Sequence, residues 1–178
     1  MDSMIMMERC MINTTEIFEM GILNSDVDSI LHFGAMFDGG KLIDDLREYG
    51  IEESYTGVDA NLEKISVYSE KLKNENGDAS YQGIINTSMQ EFIDNNSNEY
   101  SVVLITDIFN KVRYGDNQYQ FIFKTIESCR SFSNNVIFTL DVGNTEYNVL
   151  YLISYLIYTY RKVFVKKVDE TNFIFSIQ

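Results

Sequence analysis

Ser29 to Asn61, SILHFGAMFDGGKLIDDLREYGIEESYTGVDAN, is the stretch whose pattern decides the fold. A short, mostly apolar strand spans Ile30 to Phe33 and breaks at Gly34. Helical patterning follows from about Gly39 to Tyr49. A second strand, Tyr55 to Val58, then ends on an acid, Asp59. The order is strand, glycine turn, helix, strand, acid.

That order is the first half of a nucleotide-binding α/β unit. Glycine lets backbone approach a ligand, and a helix N-terminus favours polar or anionic groups. A carboxylate at the next strand end can accept hydrogen bonds from both ribose hydroxyls. Asp59 follows Gly34 by 25 positions, close to the roughly 20 residues expected of such a unit. A dinucleotide fingerprint requires G-x-G-x-x-G, but Met36 stands two residues after Gly34 and glycine returns only at Gly39 and Gly40. Nicotinamide dinucleotide binding is therefore poorly matched.

The rest of the chain repeats the unit. Leu62 to Leu72 reads as an amphipathic helix with Leu62, Ile65 and Leu72 inward, followed by a polar turn over 73–80. A third strand is expected over Tyr81–Ile85, a short helix over Met89–Ile93, and a central strand, apolar nearly throughout, over Tyr100–Thr106. A helix over 116–132 carries Ile122, Ile126 and Cys129 inward. It leads to a strand at Val136–Leu140, a helix at 145–160 and a hairpin of Lys162–Val168 with Asn172–Ile177. Five β-α repeats closed by a hairpin predict an α/β fold with a doubly wound, mostly parallel seven-stranded sheet. One such domain is expected over 26–178. Residues 1–25 form a preceding segment, with a short helix from a capping box at Asn13 and Glu16 to Leu23 and with Ile17, Met20 and Phe18 inward.

ILHFGAMFDGG followed by YTGVDAN resembles motif I and the next acidic position of class I S-adenosylmethionine-dependent methyltransferases, and the closing hairpin is similar to the last two strands of that family. The resemblance spans about residues 26–178. It aligns Gly34 with the first motif glycine and Asp59 with the ribose-binding acid. His32 stands where the family has an acid, and Met36 and Asp38 where it has later glycines. The implied cofactor is S-adenosylmethionine, held against His32, Gly34, Ala35, Gly39, Asp59, Ala60, Ser88, Met89 and Asp107. Asp107, at the end of the fourth strand, is the candidate catalytic residue, with the loop Asn110–Tyr114 beside the acceptor. Two readings stand together: a methyltransferase acting on a small molecule or protein, and a methyltransferase-like subunit that binds without catalysing.

Each site residue also has a plain structural use. Asp59 can cap the helix starting near Asn61, Gly34 can serve a ligand-free turn, and His32 can be a hydrogen-bonded core side chain. With one histidine in the chain, a multi-histidine metal site is excluded. Fourteen basic against 27 acidic residues give a formal net charge of −13, which opposes binding to phosphate backbones. The densest basic cluster is Arg161, Lys162, Lys166 and Lys167. Cys10 and Cys129, far apart, fit a reducing compartment, and neither a signal peptide nor a membrane span is recognisable. A cytoplasmic protein is the expectation. Tyr147, Tyr151, Tyr155 and Tyr158 recur along the last helix as a possible homo-oligomer or protein-partner face, with Leu150, Ile153 and Ile157 expected toward the sheet.

Overall fold

The structure, a computed structural model, describes residues 14–17, 20, 27–48, 55–76, 83–109, 118–143 and 148–178. Its elements are α1 (Thr14–Ile17), β1 (Ile30–Phe33), α2 (Lys41–Glu48), β2 (Tyr55–Asp59), α3 (Leu62–Asn76), β3 (Ile84–Asn86) and α4 (Met89–Asn95). These are followed by β4 (Val102–Ile105), α5 (Gln118–Arg130), β5 (Val136–Asp141), α6 (Val149–Thr159), β6 (Val163–Lys167) and β7 (Asn172–Ile177).

The strands form one sheet in the order β3-β2-β1-β4-β5-β7-β6. The first five pair in parallel, and β7 runs antiparallel between β5 and β6. From β1 the chain winds outward through β2 to β3, then returns to β4 on the other side of β1. The topological switch point is therefore between β1 and β4, where such sheets bind ligands beyond their strand ends.

Alternation along the strands supplies two cores. Leu31, Phe33, Val103, Ile105, Phe138 and Phe175 face α4, α5 and α6. Ile30, Val102, Leu104, Ile137 and Ile174 face α1, α2 and α3. β4 is apolar throughout because both of its faces are covered, as in a central parallel strand.

Helix faces differ from expectation in two places. On α3, Tyr68 and Leu72 are buried while Leu62 is 61% exposed, and the helix continues to Asn76 through the residues expected to form a polar turn. On α6, Leu152 and Leu156 are the buried pair, whereas Leu150 and Ile157 are exposed. Spacing i, i+4 puts Leu152 and Leu156 on one line, and Leu150 and Ile157 lie a third of a turn or more, about 120–140°, round from it. Tyr151 and Tyr155 pack laterally on α5, with Tyr155 stacked on Phe123 at 3.7 Å and Tyr151 edge-on to Tyr119 at 5.0 Å. Tyr158 is 93% exposed, and Tyr147 is outside the described residues.

Ile17 of α1 is buried in the second core, with Met20 packed against it. Asn13, Phe18, Cys10 and the expected acceptor loop 110–114 lie outside the described residues. Cys129 is buried, and burial pushes its thiol up to about 12. Among the described residues, no helix is long and apolar enough to cross a membrane.

Candidate functional site

The turn after β1 is built from backbone. Gly34 adopts φ +78°, and a Cβ placed there would lie 2.1 Å from the Thr106 carbonyl oxygen. Only glycine combines this dihedral with this approach to β4. The N–H groups of Gly34 and Ala35 both donate to Val58 O, at 2.9 and 3.3 Å. The turn is thereby tied to the end of β2.

Asp59 completes that tie. Its Oδ2 accepts the Met36 N–H at 2.9 Å and its Oδ1 accepts the Asn61 N–H at 2.8 Å. An ionised carboxylate has about four acceptor positions, so two are spent here and two remain. The side chain is half-buried at the strand end. Asn86 at the end of β3 donates to the Asp59 carbonyl at 3.0 Å, and Lys64 at the start of α3 reaches the Met36 carbonyl at 3.2 Å. Asn61 caps α3 through its side chain, which accepts the Lys64 N–H at 3.1 Å.

Met36 stands where a second glycine is usual, and its side chain has no exposed surface. It packs in the core with Ile30, Leu42 and Tyr68. The larger side chain is therefore taken up by the core.

Asp38 replaces the third glycine and caps α2. Its carboxylate accepts from Gly40 N at 3.0 Å and Leu42 N at 2.8 Å. Burial raises its pKa, opposed by these backbone bonds. From Gly34 to Leu42, seven backbone N–H groups are bonded to acceptors within the protein. A pyrophosphate needs such groups free at a helix N-terminus. Here the N-terminus of α2 is already occupied by a carboxylate of the chain itself.

Two residues expected at the cofactor lie behind the turn instead. His32 and Ala35 have no exposed surface. Both His32 ring nitrogens are engaged, Nδ1 with Tyr55 Oη at 2.6 Å and Nε2 with Thr106 Oγ1 at 2.7 Å. His32 therefore supports the turn from inside the sheet, because β1 alternation points it at the α2 and α3 side. Gly39 and Ala60 are exposed near the strand ends. Ser88 caps α4, its hydroxyl accepting the Glu91 N–H at 3.2 Å, and Met89 is half-buried beside it.

Asp107 follows β4 with φ +54°, a conformation that Asp tolerates better than most residues. Its N–H donates to Thr139 Oγ1 at 3.3 Å, which ties it to β5. The sheet order places Ser88, Asp59, Gly34 and Asp107 beyond the same ends of four adjacent strands. Tyr55, Thr106, Asn86 and Lys64 also join the site's hydrogen bonds. None has a sequence signature, since each acts through a long-range partner; only the Asp38 cap, just ahead of α2, has a local one.

No family model matches the sequence, and no curated protein matches it either. Solved structures do. The methyltransferase domain of bacterial CtHen1 is similar over 93% of this chain and 96% of its own, at 13% identity and TM-score 0.65. WbdD, a bifunctional kinase-methyltransferase, is similar over 84% of this chain at 15% identity and TM-score 0.62. Magnesium protoporphyrin IX methyltransferase from Synechocystis PCC 6803, with bound SAM, matches over 83% of this chain and 68% of its own, at 11% identity and TM-score 0.56. The fold is that of the class I methyltransferases. This chain spans about a third of the length of the WbdD structure, 35%. The class I sheet, with its antiparallel seventh strand inserted between β5 and β6, accounts for the hairpin that ends the chain.

Proposed function

We propose that this chain is an S-adenosylmethionine-dependent methyltransferase acting on a small molecule or a protein. The observation that carries the reading is the pairing of Asp59 with Asp38. Asp59 keeps acceptor capacity at the strand end, suited to ribose hydroxyls, while Asp38 closes the α2 N-terminus to phosphate. A nucleoside without phosphates fits that combination, and a dinucleotide does not. The methyltransferase structures with the same fold support the choice, one of them with SAM bound.

The residues of the chain have separable tasks. Gly34 and Ala60 bring backbone close to the ligand, and the Met89 backbone stands where the family contacts adenine. When bound, the cofactor supplies an electrophilic methyl group on positive sulfur, so positioning can provide much of the acceleration. Asp107, half-buried beyond β4, orients the acceptor or takes its proton. The net charge of −13 disfavours a nucleic-acid acceptor.

One feature favours the second reading, a methyltransferase-like subunit without catalysis. Ser88 stands where an acid is common at adenine, and its hydroxyl is taken up as the α4 cap. Calorimetric titration with S-adenosylmethionine, S-adenosylhomocysteine and NAD separates the cases. Saturable binding of the first two but not NAD supports the site and justifies a screen of acceptors. No binding of either at millimolar concentration removes the enzyme reading for this chain.

A further inference from the structure

Thr106 Oγ1 lies 3.1 Å from the Gly34 carbonyl oxygen and 2.7 Å from His32 Nε2. A threonine hydroxyl has one proton. A carbonyl can only accept, so a bond to Gly34 uses that proton, and the hydroxyl oxygen must then accept from His32. Nε2 therefore carries hydrogen, and Nδ1 is left with a lone pair. The Tyr55 hydroxyl, 2.6 Å away, donates to it. The Phe33 carbonyl lies farther from the hydroxyl, at 3.5 Å; with Thr106 donating to the nearer Gly34 carbonyl, all three bonds run in one direction, from Tyr55 through His32 and Thr106 to Gly34. The Gly34 carbonyl also accepts the Phe37 N–H at 3.0 Å, so both its acceptor positions are filled.

We propose that His32 is a positioning residue for the cofactor turn, acting through Thr106 on the Gly34 carbonyl as a neutral imidazole protonated at Nε2. The proposal rests on the reading of this turn as the S-adenosylmethionine site. The chain Tyr55–His32–Thr106 joins β2, β1 and the end of β4, the three strands whose ends form the cleft, behind the face that meets ligand. It takes the place of the acid expected at this strand, and it does so without bringing a charge under the turn. Burial supports the neutral form, holding the imidazole down to about 3.

Nitrogen-15 NMR of the full chain reads the tautomer directly. The expected result is an Nε2–H imidazole unchanged between pH 5 and pH 8; an Nδ1–H tautomer overturns the proposal. Thr106→Val keeps the side-chain shape and cuts the relay, and Thr106→Ser restores the hydroxyl. Thr106→Val is expected to weaken S-adenosylhomocysteine binding about tenfold, the effect of one lost hydrogen bond, and to speed amide exchange at Phe37. Thr106→Ser is expected to recover both. Unchanged affinity and Phe37 exchange in Thr106→Val, whatever its melting temperature, would show a purely structural role and overturn the proposal. If the unaltered protein binds neither S-adenosylmethionine nor S-adenosylhomocysteine, the cofactor reading fails by itself. The tautomer and the Phe37 exchange still decide whether His32 positions the turn.

Discussion

Asp59 Oδ2 accepts the Met36 N–H at 2.9 Å while Asp59 Oδ1 accepts the Asn61 N–H at 2.8 Å, so one carboxylate fastens the turn after β1 to the start of α3. The residue best placed to read a ribose is also the clasp of its own binding site. Ligand binding and local order are coupled there.

Replacing Asp59 tests that coupling. Asp59→Ala removes two bonds to a charged acceptor, each worth about 1.5–3 kcal/mol before relaxation. A loss of about 2 kcal/mol in urea unfolding is expected, because the group is half-buried and water replaces part of what is lost. Cofactor affinity should fall at least tenfold under the proposed function. A variant with normal calorimetric affinity would remove Asp59 from the site. Asp59→Asn, which keeps one acceptor oxygen, should fall between the two.

Two glycines of the same turn should answer substitution differently. Both have positive φ, +78° at Gly34 and +73° at Gly39. A Cβ at Gly39 meets nothing within 4 Å, whereas at Gly34 it meets backbone at 2.1 Å. Gly39→Ala should cost only the dihedral penalty, about 1 kcal/mol. Gly34→Ala should cost about 3 kcal/mol or more, because the Thr106 carbonyl just after β4 must move. Equal unfolding midpoints for the two variants would contradict the close approach of the turn to Thr106.

The tyrosines of α6 carry a packing prediction. Tyr155 stacks on Phe123 at 3.7 Å with planes 19° apart. A double-mutant cycle with Phe123→Leu and Tyr155→Leu should return a coupling of about 1 kcal/mol. Additive losses would mean that the two rings do not meet in solution.

The sheet was legible because its strands are short, apolar and punctuated by Gly34, Asp59, Asp107 and Asp141. The bounds of β1 and β7 agree with the sequence reading residue for residue. Helix faces were less legible where apolar residues surround the helix. On α6 the run from Val149 to Ile157 has leucine or isoleucine on several sides, and it is packing into the first core that selects Leu152 and Leu156. At the site, Asp59 and Gly34 were visible through local spacing. His32 was visible as an oddity, but its partners Tyr55 and Thr106 are 23 and 74 residues away, and periodicity carries no information at that range. Met36 shows the same limit: spacing marks it only as a departure from the usual glycine, and the fold decides that its side chain is buried in the core.

The pH dependence of stability should carry the mark of His32. Burial lowers its pKa from 6.5 to about 3 in the folded protein, so between those values the unfolded chain binds one proton more. Stability then rises with pH and is lost on acidification. Integrating from pH 7 to pH 5 gives a loss of about 2 kcal/mol from this group. Tyr55 is the titratable side chain hydrogen-bonded to the ring. Asp38 acts in the opposite sense, because burial raises its carboxyl and acid relieves it. Comparing the protein with His32→Phe at each pH removes that contribution and those of the other carboxylates. The variant starts less stable, since Tyr55 and Thr106 each lose one hydrogen bond, but urea unfolding should show it losing about 2 kcal/mol less than the parent between pH 7 and pH 5. Parallel curves for the two proteins would mean that His32 takes up its proton in the folded state at the same pH as in the unfolded chain, against the lowering that its burial produces.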